Sequence, residues 1–168
     1  MTCLIRLARQ SEIEQIRDLE RASAQRFIGM MDALAADEPT LPVVLSARLQ
    51  AGGLFVATAD KALAGFVMVR PVEDSLYVEQ IDVLPRFAGR RIGAALLDAV
   101  AQRAQAAGLA RLTLSTFRDI PWNAPWYRRL GFTDLADIDL TPGLLEIRAE
   151  HIERGLDESQ RVFMGRAL

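Results

Sequence analysis

The strongest constraint on the fold is a helical pattern that lies between two strand patterns. Leu76–Leu84 and Arg111–Phe117 are short, largely apolar segments with the residue types and alternation that are typical of strands. Between them, apolar residues recur at helical spacing until Gly108, namely Ile92, Ala95, Leu96, Ala99 and Val100. A strand, a helix and a second strand in this order form a βαβ unit, so the two strands are predicted to be parallel.

The segments on both sides of this unit predict an antiparallel remainder of the sheet. The tight turn "TADKA" joins strand patterns at Leu54–Thr58 and Ala62–Arg70. Further strands are predicted at Cys3–Ala8, Phe132–Leu140 and Arg161–Ala167. Helices are predicted within "PWNAPWYRRLGF", over Val43–Ala51 and Pro142–Gly155, and after Ser11, where Glu14 completes a capping box. We expect a mixed α/β fold in one domain of residues 1–168: a mostly antiparallel sheet with a central parallel βαβ unit, flanked by helices.

Composition excludes several classes of protein. A net charge of −2 argues against a nucleic-acid-binding protein, which would need a basic stripe. The single cysteine, Cys3, excludes an internal disulfide and a cysteine-rich zinc site. His151 is the only histidine and lies in the charged segment "EIRAEHIERG", so we expect a surface residue and no metal site.

Neither a signal peptide nor a membrane helix is expected. Arg6 and Arg9 interrupt the N-terminal segment where a signal peptide would need an apolar core. The longest apolar run, Ala62–Val69, is far shorter than the roughly 20 residues that cross a bilayer. A cytoplasmic protein without membrane partners is the resulting expectation.

The helix of the βαβ unit begins with cations, in the segment "RFAGRRIGAALL". Arg90 and Arg91 stand where the helix dipole disfavours positive charge, by roughly 0.3–1 kcal/mol each. A bound anion would compensate, and the loop follows a central strand, where such sheets bind ligands. Gly89 and Gly93 do not complete a dinucleotide fingerprint, and the lysine of a P-loop is absent. The sequence therefore predicts an anion site of another type.

The order of elements, together with "VLPRFAGRRIGAALL" and "WYRRLGF", resembles the GCN5-related N-acetyltransferases, which use acetyl-CoA. The loop pattern of that family is Arg/Gln-x-x-Gly-x-Gly/Ala, and here Ala88, Arg91 and Gly93 occupy its three defined positions. Only Gly93 matches, although Gly89 is the residue that the family commonly carries just after the first position. The resemblance nevertheless implies a phosphate-binding loop, because the family binds the pyrophosphate mainly through backbone N–H groups.

The resemblance also implies the cofactor-binding residues, in a core of about residues 76–132. In "QIDVLP", Ile81 and Val83 correspond to the residues whose backbone pairs with the pantetheine arm and the acetyl carbonyl. The loop contributes Arg86, Ala88, Gly89, Arg90, Arg91, Ile92, Gly93 and Ala94. The family's asparagine stands seven residues before its tyrosine, where this chain has Ile120, and Asn123 is the displaced candidate. Tyr127, Gly131 and Phe132 match Tyr-x-x-x-Gly-Phe, in which the tyrosine lies close to the cofactor sulfur.

Acetyl transfer to an amine needs a base for the amine and an acid for the departing thiolate. Strand alternation places Glu79 on the same face as Ile81 and Val83, so Glu79 is the preferred base. Asp82, or an ordered water, remains an alternative, because a bulge would alter the alternation. Tyr127 is the predicted acid, since a phenol with a pKa of about 10 can donate a proton at neutral pH.

These observations predict an acetyl-CoA-dependent N-acetyltransferase that acts on a primary amine of a small molecule or a protein, by direct attack in a ternary complex. The alternative is a non-catalytic domain that binds acyl-CoA as a sensor. The acceptor is not predicted by any motif. The oligomeric state stays open as well, with a homodimer through the C-terminal strand "RVFMGRAL" as one alternative.

Overall fold

The computed structural model describes residues 2–168 and contains a seven-stranded sheet with the strand order β1-β2-β3-β4-β5-β7-β6. The strands are β1 (Cys3–Leu7), β2 (Leu54–Ala59), β3 (Ala62–Val72), β4 (Ser75–Val83), β5 (Arg111–Phe117), β6 (Thr133–Asp134) and β7 (Arg161–Ala167). The helices are α1 (Ile13–Ala24), α2 (Asp32–Ala35), α3 (Pro42–Gln50), α4 (Ile92–Ala106), α5 (Ala124–Arg129) and α6 (Pro142–Glu153). Within residues 2–168, no helix is long and apolar enough to cross a membrane.

The predicted mixed sheet is confirmed, including its parallel pair. β4 runs parallel to β5, with Ser75 opposite Arg111 and Val78 opposite Leu114. β1 with β2, β2 with β3, β5 with β7 and β6 with β7 are antiparallel. The helix between the parallel strands is α4, as the apolar spacing predicted.

The described residues divide into two compact units. The first comprises residues 2–69 and Gln80–Ala99, and α1, α3, β2 and β3 enclose its apolar core. Ile16, Leu45, Leu54 and Phe66 are fully buried there. The second comprises Arg70–Glu79 and Val100–Leu168, and its core includes Val72, Tyr77, Leu140, Leu144, Ile147 and Phe163.

Two strand predictions need correction. The predicted strand Phe132–Leu140 is wrong beyond Asp134, because its aspartates favour turns over strands, and Asp137–Asp139 forms a 3₁₀ turn instead. The sequence analysis left open a homodimer through the C-terminal strand, but β7 lies between β5 and β6. β6 pairs with it at Gly165 and Met164, so a partner strand cannot add there.

The start of α1 and the position of His151 also differ from expectation. Ser11 does not cap α1; a 3₁₀ turn precedes the helix, and the Glu12 carboxylate accepts the Arg9 N–H at 2.8 Å. The ion pair between Glu12 and Arg6 holds this turn in place, with 2.6 Å between Arg6 Nη2 and Glu12 Oε1. His151 is buried, 9% exposed, with its ring stacked on Phe163.

Candidate active site

The loop between β4 and α4 has a conformation that suits an anion. Pro85–Phe87 forms one 3₁₀ turn after β4, and α4 begins at Ile92. Gly89 and Arg91 both have left-handed backbones, with φ of 76° and 59°. Such residues turn neighbouring N–H groups toward one side, as in the backbone nests that bind phosphates. The loop therefore keeps a left-handed residue at position 91, where the family pattern has glycine and this chain has arginine.

The arginines of the loop pack on one aromatic ring. The guanidinium carbons of Arg86 and Arg90 lie 4.9 and 5.3 Å from the centre of the Phe87 ring, which is itself buried. Arg90 Nη1 also lies 3.2 Å from Asp60 Oδ2, on the turn between β2 and β3. The Asp60 carboxylate therefore compensates part of the positive charge at the start of α4. The sequence analysis had considered only a bound anion for this role.

The end of β4 is packed closely against β3. Leu84 donates its N–H to the Ala64 carbonyl at 2.8 Å. A Cβ atom on Gly65 would lie 2.8 Å from the Asp82 carbonyl oxygen and 3.2 Å from Val83 Cγ2. Glycine at position 65 is therefore what allows this approach. Ile81 and Val83, the predicted pantetheine-binding residues, are both partly buried at this end of the strand.

Asp82 is the centre of a polar cluster that joins α1 to β4. Its Oδ1 accepts a hydrogen bond from Ser23 Oγ at 2.8 Å, and its Oδ2 accepts one from Gln80 Nε2 at 2.7 Å. Burial raises the pKa of Asp82 to about 6, although both hydrogen bonds oppose the rise. Arg26 extends the cluster, because its Nη2 donates to Ser23 Oγ at 3.1 Å and to the Val83 carbonyl at 3.3 Å.

The sequence analysis missed Ser23, Arg26 and Gln80. A signal for Ser23 exists, because it lies seven residues after Ile16 and so shares the apolar face of α1. A serine on that face is 2% exposed in the structure. A buried polar residue on an apolar helix face needs a hydrogen-bond partner, and here the partner is Asp82.

Glu79 is paired with a cation in the second unit. Its Oε1 lies 3.6 Å from Arg70 Nε, and the Glu79 side chain is 17% exposed. Arg70 Nε is buried and has no hydrogen-bond partner among the described residues. The Arg70 guanidinium carbon lies 6.0 Å from the centre of the Tyr77 ring. The preferred base is thus a partly shielded carboxylate beside an arginine.

Tyr127 lies on α5 with its ring buried between two other aromatic rings. It is 6% exposed, and its ring centre lies 4.9 Å from that of Trp126 and 5.5 Å from that of Phe132. The main chain of Asn123 starts this helix, because its carbonyl accepts the N–H groups of Trp126 and Tyr127. The side-chain oxygen of Asn123 is buried without a hydrogen-bond partner in the described part of the chain, so it can accept one from a ligand.

The predicted site residues thus fall into two groups. The loop residues 86–94, Ile81 and Val83 belong to the first unit, together with Asp82 and its partners. Glu79, Asn123 and Tyr127 belong to the second unit. The chemistry available is that of an anion-binding loop, two candidate carboxylate bases and one buried phenol.

Comparison with solved structures shows the same fold in acetyltransferases. The N-acetylglutamate synthase from Neisseria gonorrhoeae, complexed with coenzyme A and N-acetyl-glutamate, matches all of this chain with a TM-score of 0.77 and 18% identity. The chain spans 35% of the length of that synthase. The PaiA N-acetyltransferase from Thermoplasma acidophilum, in complex with coenzyme A, matches over 100% of both chains, with a TM-score of 0.72 and 15% identity.

A third structure is similar over nearly its whole length. The GNAT-family acetyltransferase from Staphylococcus aureus Mu50 has a TM-score of 0.74 and 15% identity, over 99% of each chain. In sequence, the profile of the Acetyltransferase (GNAT) family matches residues 13–132, which include the loop, β4 and Tyr127. Since this match covers well over half of the residues, the chain belongs to the Acetyltransferase (GNAT) family.

Proposed function

We propose that this protein transfers an acetyl group from acetyl-CoA to a primary amine by direct attack in a ternary complex. The observation that carries the proposal is the loop conformation at Gly89 and Arg91, within the residues that match the family. Space at Gly89 supports it, because no heavy atom lies within 4 Å of the position that a Cβ would take there. Related folds bind coenzyme A, as in the PaiA complex.

We assign residues of each unit to the parts of the cofactor. Backbone N–H groups of Ala88–Ala94 would bind the pyrophosphate, with Arg86 and Arg90 as side-chain contacts. Backbone groups of Ile81 and Val83 would align the pantetheine arm, and Asn123 Oδ1 would accept a hydrogen bond from it. The thioester that acetyl-CoA supplies is the electrophile of the reaction.

In the transfer, the amine nitrogen forms a bond to the acetyl carbon and the bond from carbon to sulfur breaks. A base must take the proton of the amine, and an acid must return a proton to the thiolate. We assign the base role to Glu79. Asp82 is the alternative, because its pKa of about 6 suits a base that works near neutral pH. Tyr127 is assigned as the acid.

The loop assignment is tested by calorimetric titration with coenzyme A. Gly89→Pro forces φ toward −65° where the loop has 76°, so binding should be lost while the protein stays folded. Gly155→Pro is the matched control, because Gly155 also has a positive φ, of 80°, in a turn with open space around it. Unchanged affinity in a folded Gly89→Pro variant would contradict the loop assignment.

Turnover distinguishes the enzyme from the sensor. Thiol release from acetyl-CoA is measured against a panel of primary amines, with mass spectrometry of the acetylated product. Glu79→Gln should lower kcat by about 10²–10⁴ if proton abstraction limits the rate. A chain that binds coenzyme A tightly and releases no thiol with any amine would be the non-catalytic acyl-CoA-binding sensor.

A further inference from the structure

The second unit contains an open cleft that the proposed reaction has not used. Its volume is about 540 Å³, within the range of about 300–1,000 Å³ that is common for small-molecule sites. Part of its wall is apolar, formed by Leu135, Leu140, Val162 and Phe163. The charged part of the wall consists of Arg118, Arg148, Arg161, Asp134, Asp137 and Glu158.

Two acids of the cleft are already engaged by arginines. Asp134 accepts hydrogen bonds from Arg128 Nε and Nη2 at 3.0 and 2.9 Å. Asp137 accepts one from Arg148 Nη1 at 3.0 Å. The remaining charged groups of the wall are Arg118, Arg161 and Glu158, and the last two form a longer ion pair of 3.7 Å.

Arg161 has one buried N–H group, at Nε, without a hydrogen-bond partner in the described part of the chain. Its Nη2 donates to the Ser115 carbonyl at 3.2 Å and to Ser115 Oγ at 3.3 Å. Its Nε is buried with no hydrogen-bond partner among residues 2–168, since Oε1 of Glu158, its ion-pair partner, is 3.7 Å away. That oxygen lies closer to His151 Nδ1, at 2.8 Å. A buried N–H without a partner is costly, so it indicates a missing acceptor.

Arg118 supplies a second guanidinium to the same cleft. Its Nη2 donates to the main-chain carbonyl oxygen of Arg161 at 2.9 Å. Because this acceptor is neutral, the bond does not compensate the charge of Arg118. The planar fork of an arginine matches the geometry of a carboxylate better than that of other small groups. Two arginines beside an apolar wall therefore suit a carboxylate attached to an apolar chain.

A series of packed side chains connects the wall of the cleft with Glu79. Phe163, on the wall, belongs to the same buried cluster as Tyr77. The Arg70 guanidinium lies over the Tyr77 ring, and Arg70 Nε lies 3.6 Å from Glu79 Oε1. Burial raises the pKa of Tyr77, and the charges of Arg161 and Arg70 both oppose the rise.

We propose that the acceptor is a small amino acid with an apolar chain, whose carboxylate binds Arg161 and Arg118 in this cleft. Its amino group is the nucleophile of the transfer, and Glu79 takes its proton. This inference rests on the proposed function, because it names the amine of that same reaction. It requires no group beyond acetyl-CoA and the amino acid.

The test compares amines that differ only in the carboxylate. Thiol release from acetyl-CoA is measured with leucine, leucinamide and isoamylamine, and with 6-aminohexanoate against hexylamine. The loss of a hydrogen bond to a charged group weakens binding by roughly 10- to 100-fold. We therefore expect kcat/KM to be higher by that factor for the amines that carry a carboxylate. Equal or faster turnover of the amines without a carboxylate overturns the inference and leaves the proposed function standing. No thiol release with any amine overturns both.

Variants then locate the carboxylate. Arg118→Gln is the main variant, since Arg118 is exposed and its loss should not prevent folding. It should raise KM for the preferred amino acid by roughly tenfold or more, and raise KM for isoamylamine, which has no carboxylate, by much less. Arg129→Gln is the matched control, because Arg129 is also exposed but does not line the cleft. An unchanged KM in Arg118→Gln, or an equal rise in the control, overturns the assignment to this cleft.

Discussion

Replacement of Asp82 by asparagine should stabilise the protein above pH 6. The asparagine keeps the size of the side chain and removes its charge. Its Oδ1 can accept the Gln80 hydrogen bond, and its Nδ2 can donate to Ser23 Oγ, which as a hydroxyl can accept as well as donate. The cluster therefore loses the cost of a partly buried charge, but the Ser23 hydroxyl, which already accepts from Arg26, loses Asp82 Oδ1 as the acceptor of its own proton.

The magnitude follows from the pKa of Asp82, which burial raises from 3.8 to about 6. A rise of about two units at about 1.36 kcal/mol each corresponds to roughly 3 kcal/mol. The folded state binds the proton more tightly, so this contribution to stability is present below pH 3.8 and is lost as the pH rises through about 6. The side chain is only partly buried and its charge-assisted hydrogen bonds are lost, so we expect a gain of about 1–2 kcal/mol at pH 8.

The assay is urea unfolding of the wild type and Asp82→Asn at pH 5 and pH 8. The gain from asparagine should be larger at pH 8 than at pH 5. Asp98→Asn, on the exposed face of α4, is the control and should change stability by less than about 0.5 kcal/mol at either pH. A variant that is destabilised equally at both pH values would refute the assignment of a raised pKa to Asp82.

The same variant separates the two candidate bases. If Asp82 takes the proton of the amine, Asp82→Asn should be more stable at pH 8 and slower by about 10²–10⁴ in kcat. If Glu79 is the base, kcat should stay near the wild-type value in Asp82→Asn. Measured beside Glu79→Gln, the pair of variants assigns the role to one carboxylate, or to an ordered water if both remain active.

Three further substitutions test other parts of the structure. Arg91→Gly should remove the strain of a left-handed arginine, about 1–2 kcal/mol, while the glycine makes the unfolded chain more flexible. The net gain in the free energy of unfolding, measured in urea, should be near 0.5–1 kcal/mol. A lower free energy of unfolding would contradict the strain. Gly65→Ala should cost about 1–3 kcal/mol, because the new methyl would lie 2.8 Å from the Asp82 carbonyl oxygen; an unchanged melting temperature would show that β3 and β4 separate freely. Tyr127→Phe keeps the ring contact with Trp126, so acetyl-CoA affinity should stay within about tenfold while kcat falls further; loss of affinity with kcat intact would make Tyr127 a packing residue.

The central part of the fold was predictable because its signals are local and agree with one another. The strand Arg111–Phe117 has the predicted bounds, and α4 begins at Ile92, where the apolar spacing begins. The parallel pairing followed from the order of elements alone, because a strand, a helix and a strand leave little choice of connection. Periodicity and topology point to the same structure in this segment.

Other features depend on contacts that are distant in sequence. The 3₁₀ turn before α1 forms because Glu12 binds Arg6 from β1, and no capping pattern around Ser11 contains that information. His151 is buried because Phe163 stacks on its ring and Glu158 binds its Nδ1, although its own helix is highly charged. Ser23 and Asp82 are 59 residues apart in the chain and meet only in the folded protein.

The loop between β4 and α4, which we propose binds the cofactor, shows why residue identity is an incomplete guide to a binding site. Two of the three positions in the family pattern do not match, and Arg91 replaces the glycine that a left-handed backbone favours. Yet Arg91 adopts that backbone, at a cost of roughly 1–2 kcal/mol, which a folded domain can tolerate. The property that an anion recognises is the direction of the N–H groups, and any residue except proline supplies one. A pattern of residue types therefore underestimates this loop, whereas the left-handed backbones at Gly89 and Arg91 support the proposed role.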